Sequence, residues 1–164
     1  ERKIEGIVSG MSVYENMTLS QQKKFSQFGI LKISAERHLA RDWIQKLAIK
    51  ASSENADSGN LSGGNQQKVV LAKCLASNPS VLLLDEPTRG VDVGARREIY
   101  ALLFSLAQQG LAIVVVSSEL EELLGISDRI VVMREGAMTG SLERRDFSEH
   151  SVMALAAHSS REAA

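Results

Sequence analysis

Two short segments hold the residues with chemistry to offer. The first is Leu61-Ser62-Gly63-Gly64-Asn65-Gln66-Gln67-Lys68. Two glycines directly before a helix let backbone N–H groups approach an anion closely. The helix N-terminus adds unpaired donors and a partial positive charge. Ser62 adds a hydroxyl donor, and together these groups suit a nucleotide γ-phosphate. A helix start with flexible glycines and no ligand is the plainer alternative. The second segment is Val81-Leu82-Leu83-Leu84-Asp85-Glu86-Pro87-Thr88. Ligands of open α/β sheets gather at the carboxyl ends of strands, where Asp85 could hold Mg²⁺, usually through water. Glu86 points the other way if the strand continues, and could polarise an attacking water. Two carboxylates that simply close a strand are the plainer alternative here.

The elements that must position these groups follow from periodicity. Ser12-Val13-Tyr14-Glu15 is a capping-box pattern and predicts a short helix toward Leu19. Leu39, Ala40, Trp43, Ile44 and Leu47 form one helical face, predicting a helix over 35–48. Residues 52–60 are polar and read as a loop. The first sixty residues thus read as a small helical subdomain. After Leu61 helices and strands alternate. Helices are predicted over 65–76, 95–109 (ended by Gly110), 119–124 (stopped by Gly125) and 148–157. Apolar runs at 81–84 and 112–116 read as strands buried on both faces. Further strands are predicted over 130–133 and, after the Glu135-Gly136 turn signal, near 138–142. This alternation implies an α/β fold with a mainly parallel sheet.

Composition bounds the function classes. The chain has 164 residues, 44% hydrophobic and 24% charged, which is ordinary for one modest globular domain with a core. A net charge of -1 argues against a nucleic-acid partner held by overall positive charge. Cys74 is the only cysteine, so no internal disulfide can form. The longest uninterrupted apolar run, Leu111 to Val116, is far short of the ~20 residues of a membrane helix. The chain opens Glu1-Arg2-Lys3, with no starting Met and no signal-peptide pattern, and is expected to be a C-terminal fragment. His38, His150 and His158 show no ligand spacing and read as surface residues, while Cys74 reads as packed.

The order Leu-Ser-Gly-Gly, helix, buried strand, Asp-Glu-Pro-Thr resembles the ATP-binding-cassette ATPases, over essentially the whole chain. Arg89-Gly90-Val91-Asp92 resembles their D-loop, where two cassettes communicate; Asp92 also suits a helix N-cap. Ser118, in Val116-Ser117-Ser118-Glu119, stands where most cassettes carry a switch His against the γ-phosphate. Ser118-Glu119-Leu120-Glu121 also reads as a capping box, and a structural role for Ser118 is the favoured one. Together with the opening Glu1-Arg2-Lys3-Ile4-Glu5-Gly6-Ile7-Val8 and Met11 to Asn16, these segments are most similar to the second cassette of tandem monosaccharide-importer ATPases, the ribose type among them.

That resemblance implies a partial P-loop NTPase fold with three parts. Residues 1–60 would be the post-Q-loop segment and helical subdomain, 61–145 the signature, Walker B, D-loop and switch regions, and 146–164 a C-terminal helix and tail. It implies ATP and Mg²⁺ as ligands, with Glu86 catalytic, Asp85 at the metal, and Ser62, Gly63, Gly64, Gln66, Asp92 and Ser118 at nucleotide. No Gly-x-x-x-x-Gly-Lys-Ser/Thr segment occurs in the 164 residues, so the chain alone is expected to bind ATP weakly and not to turn it over. The implied partners are a second cassette, a transmembrane permease and, indirectly, a periplasmic sugar-binding protein; apolar residues near Phe25, Phe28 and Ile30 could contact the permease, with a local hydrophobic turn as the plainer alternative. The implied place is the cytoplasmic face of the bacterial inner membrane, peripherally. A soluble cassette ATPase acting on DNA or ribosomes, or a non-enzymatic fragment with only interaction roles, are the alternatives.

Overall fold

The computed structural model describes residues 6–157. Within it the chain divides into two compact units, one up to Val114 and one from Val115. The opening residues 1–5 and His158 lie outside the described residues.

The first unit starts with helix α1 (Val13–Thr18). Its expected capping box is present: Ser12 Oγ accepts the Glu15 N–H, and the Glu15 carboxylate accepts the Ser12 N–H at 2.7 Å. The Ser12 bonds also hold the Glu15 carboxyl below the usual glutamate range. A short helix α2 (Gln22–Phe25) leads into an antiparallel hairpin of β1 (Ser26–Gln27) and β2 (Ile30–Leu31). Periodicity cannot be read over two-residue strands, so this hairpin has no sequence signature. Phe28 and Gly29, both at positive φ, make the turn, and Phe28 stands 96% exposed at its tip.

Helix α3 (Ile33–Lys46) packs on α1 through Ala40, with Leu47 buried just beyond its end. Trp43 and Ile44 are only half-buried, and Trp43 carries the Lys46 ammonium over its ring at 5.0 Å. A polar pair is also buried there: Thr18 Oγ1 donates to Glu36 at 2.8 Å. Helix α4 (Gly63–Leu75) packs on both α1 and α5 (Val93–Gln108), with Val69, Leu71 and Ala72 buried on it. Gly110, at φ 93°, ends the α5 region as expected.

Strand β3 (Val81–Asp85) pairs with β4 (Ala112–Val116), joined through α5 as in a βαβ unit. The expectation that both strands are buried on two faces is not met. Leu82 and Leu84 are buried, whereas Val81 and Leu83 are exposed, Leu83 by 73%. A strand needs a cover on each side, and the described residues supply one. Cys74 is exposed rather than packed, lying at the edge of the α4 arc that buries Leu71, Ala72 and Leu75.

The second unit has α6 (Leu120–Ile126), β5 (Arg129–Arg134), β6 (Ala137–Glu143) and α7 (Glu149–Ala157). Helix α6 runs through Gly125 instead of stopping there. The strands β5 and β6 form an antiparallel hairpin, not part of a parallel sheet. The Glu135-Gly136 turn, with both residues at positive φ, joins them directly and leaves no room for a crossover. Ile130, Val132 and Val152 form the core, with Leu155 seated over Gly140, where a Cβ would lie 2.7 Å from its Cδ2.

Candidate nucleotide-facing site

Ser62 is the N-cap residue of α4, with the expected extended backbone, but its side chain caps nothing. Gly63 and Gly64 are the first two helical residues, not a loop ahead of the helix. The N–H groups of Gly63, Gly64 and Asn65 have no hydrogen-bond acceptor among the described residues, as a helix start leaves them. The exposed Ser62 hydroxyl accepts from Asn65 Nδ2 at 2.7 Å. The Asn65 Oδ1 accepts the Lys50 backbone N–H at 2.8 Å. The α4 N-terminus therefore offers three backbone donors and one serine hydroxyl to an anion.

Each glycine also has a packing reason. A Cβ on Gly63 would sit 3.4 Å from the Gly90 carbonyl oxygen, and one on Gly64 would sit 2.4 Å from Ala95 Cβ. The signature turn thus lies directly against the Arg89–Asp92 loop and the start of α5. Any side chain at Gly64 therefore meets Ala95 first, whatever its charge. Gln66 turns back from the helix start, its amide donating to the Ser58 and Gly59 carbonyls at 3.1 and 3.2 Å.

Asp85 ends β3, exposed, and its carboxylate makes no hydrogen bond or ion pair with a described residue. An unclaimed carboxylate at a strand end suits a water-bridged Mg²⁺, whose charge would offset that of phosphate oxygens. Among the described residues no group of three or more His, Cys, Asp or Glu is placed to hold an ion. Glu86 does not continue the strand. It sits at φ 49°, a left-handed conformation uncommon for glutamate, and its carbonyl accepts the Arg89 N–H. The alternation argument for its direction therefore fails; the turn sets it. Pro87 and Thr88 behind it are buried, which fixes that turn. Asp92 caps α5, its Oδ1 accepting the Ala95 N–H at 2.9 Å.

In the second unit, Ser118 is exposed and does not form the expected capping box. At the start of α6 the Ser117 hydroxyl accepts the Glu119 N–H at 3.0 Å and donates to the buried Glu122 carboxylate. Two adjacent serines cannot be told apart by motif; their different burial decides.

Sequence reasoning missed three supporting groups. Asn65 is one. Lys68 is buried and donates to Glu98 at 2.8 Å and to the Ala48 carbonyl at 3.3 Å, tying α4 to α5 and to the exit of α3. The Lys68 bond and charge hold the Glu98 carboxyl below the usual range. Asn16, fully buried, donates to the carbonyls of Val8, Met11 and Ser12 and to Ser58 Oγ, and accepts the Val8 N–H. Its local sequence, VYENMT, does not set it apart from the neighbouring Glu15 and Thr18, so nothing local signalled the network.

The family model for the ABC transporter matches residues 2–89. The chain belongs to the ABC transporter family. This cassette chain is 52% identical over 157 residues to the arabinose import ATP-binding protein AraG of Rhizobium meliloti (strain 1021), covering 95% of this chain and 31% of that protein. It is 51% identical over 154 residues to the ribose import ATP-binding protein RbsA of Caldanaerobacter subterraneus subsp. tengcongensis, covering 93% and 31%. The chain thus spans under a third of the length of these relatives. A dimeric ATP-binding cassette, MJ0796, bound to ADP and Pi, superposes with a TM-score of 0.69 at 27% identity, over 86% of this chain and 60% of that one. The fold is that of a partial ABC cassette, α/β in class.

Proposed function

We propose that this chain is part of the ATP-binding, energy-coupling component of a bacterial ABC importer for a ribose-like monosaccharide. The observation that carries the reading is identity of 52% and 51%, over nearly the whole chain, to proteins named for arabinose and ribose import. Both are five-carbon sugars. In this reading residues 1–60 are the post-Q-loop segment and helical subdomain, 61–145 carry the nucleotide-facing motifs, and 146–164 form the C-terminal helix and tail.

Ser62 and the N–H groups of Gly63 and Gly64 donate to the γ-phosphate of an ATP held mainly by a partner cassette, with Gln66 holding the helix start in place. Asp85 faces Mg²⁺ and Glu86 polarises water at a second ATP, whose phosphate loop lies outside these 164 residues. Asp92 links the two sites through the D-loop, and Ser118 stands at the switch position without the positive charge a histidine can carry. The two sites are therefore unequal, and the one completed by Ser62 is the productive one. The exposed Phe28 hairpin with Ile30 faces the permease, and through it a periplasmic binding protein. In this reading the subunit is peripheral, on the cytoplasmic face; none of the described helices is long and apolar enough to cross a membrane.

The test is uptake of labelled ribose and arabinose, with ATPase turnover, by the complete transporter carrying Ser62→Ala or Glu86→Gln. Ser62→Ala is expected to reduce both strongly, and Glu86→Gln to cost less than the matching change in the partner cassette. Uptake that survives Ser62→Ala intact refutes the placement. Equal loss from the two glutamate changes refutes the inequality.

A further inference from the structure

We infer that Asn65 is a positioning residue that sets the direction in which Ser62 donates its proton. The inference rests on the proposed placement of Ser62 at phosphate. The Asn65 amide has only one orientation open to it. The Lys50 backbone N–H, a donor and nothing else, lies 2.8 Å from one end, so that end is the carbonyl oxygen. The other end is therefore the NH₂ group, and it donates to Ser62 Oγ at 2.7 Å. A serine oxygen that accepts from this side keeps its own hydrogen for another partner.

The α4 N-terminus supplies a second, independent observation. An N-cap serine ordinarily accepts a backbone N–H of the second or third helical residue. Here Ser62 makes no such bond, although its backbone has the N-cap conformation. The Asn65 side chain replaces the backbone of the same residue as donor, and the hydroxyl is drawn off the cap. In either arrangement Oγ only accepts and the hydroxyl proton stays free to donate; the Asn65 bond changes the side from which the oxygen is held, and an anion beside the three open backbone N–H groups is an acceptor that fits. The Lys50 anchor also matters, because Lys50 follows the exit of α3. The hydroxyl direction is thereby tied to the α3 exit as well as to α4.

The closing experiment is a double-mutant cycle of Ser62→Ala and Asn65→Ala in the complete transporter, reading kcat/KM for ATP and thermal unfolding. Asn65→Ala alone is expected to lower kcat/KM about tenfold, the size of one net hydrogen bond to a charged group. In the Ser62→Ala background the same change should cost nothing further, because there is no hydroxyl left to direct. Equal losses in both backgrounds would overturn the inference and make Asn65 a packing residue. No loss in the native background would overturn it as well. If Ser62→Ala alone leaves kcat/KM unchanged, the placement of Ser62 at phosphate fails, and the role of Asn65 falls with it. A variant that loses its unfolding transition is replaced by Asn65→Ser, which keeps a short polar side chain but cannot span both partners, with the same outcomes expected.

Discussion

Gly64→Ala puts the packing of the signature turn to a direct test. The new Cβ would lie 2.4 Å from Ala95 Cβ and 3.5 Å from Val91 Cγ1. Non-bonded carbons sit about 3.5–4.0 Å apart, so the first contact is short by about 1 Å. Ala95 Cβ is fixed to the first turn of α5 and cannot swing away, so α4 and α5 must separate. Overpacking of this kind costs about 1–3 kcal/mol. Against it stands a gain of up to about 1 kcal/mol from replacing a helical glycine, smaller in a first turn. The net expectation is destabilisation by about 1–2 kcal/mol, or a fall in Tm of about 2–8 °C for a chain of this size. Thermal unfolding followed by circular dichroism reads it. Ala95→Gly in the same molecule removes the clashing atom, and the pair should recover most of the loss as a non-additive cycle. The same pair should also recover ATPase activity in the complete transporter, because the added methyl points at α5 and not at the backbone donors. An unchanged or raised Tm for Gly64→Ala would refute the close α4–α5 approach. A double variant that is stable but inactive would refute the direction of that Cβ.

Other consequences can be checked separately. Asn16→Ala takes away the acceptor of the Val8 N–H and a second donor from the Val8, Met11 and Ser12 carbonyls, each of which keeps a backbone donor, and should cost about 1–3 kcal/mol by urea unfolding; no measurable loss would contradict the buried network. Glu98, Glu54 and Glu15 are held below the ordinary glutamate value of 4.5, by bonds from Lys68, Arg41 and Ser12 respectively. Their folded pKa values are lowered, so their contribution is present above that value and is lost as pH falls through the folded values, where the unfolded chain binds more protons. Glu98→Gln should therefore narrow its stability gap to the native chain as pH drops below 4.5, in unfolding curves measured across that range. The exposed Cys74 should react with a thiol reagent in native buffer as fast as in denaturant, allowing for its thiolate fraction; protection in the native chain would contradict its exposure. Ser117→Ala should loosen the start of α6, raising hydrogen exchange over 119–123 selectively.

Much of the candidate site was legible because its chemistry is local. Ser62, Gly63 and Gly64 stand in a run that starts a helix, and Asp85 closes an apolar strand. Those features follow from capping, periodicity and turn residues within a few positions of each other. The helix and strand order was readable for the same reason, and Asp92 and the Ser12–Glu15 box cap helices as their residue types require. Family membership follows from the same motifs taken in order.

The remainder depended on neighbours far apart in sequence. Asn65 meets Lys50, Lys68 meets Glu98, and Gly64 meets Ala95 only because α4 lies against α5 and the α3 exit. Nothing in the run of residues 61–68 specifies those contacts, since a helix start tolerates many packings. The same holds for the choice of Ser117 over Ser118, made by the buried Glu122, and for the exposed faces of β3 and β4, set by which strands and helices cover them. The sequence determined which groups could face a phosphate. Tertiary packing decided which of them are aimed, because direction is set by partners that local propensity does not encode.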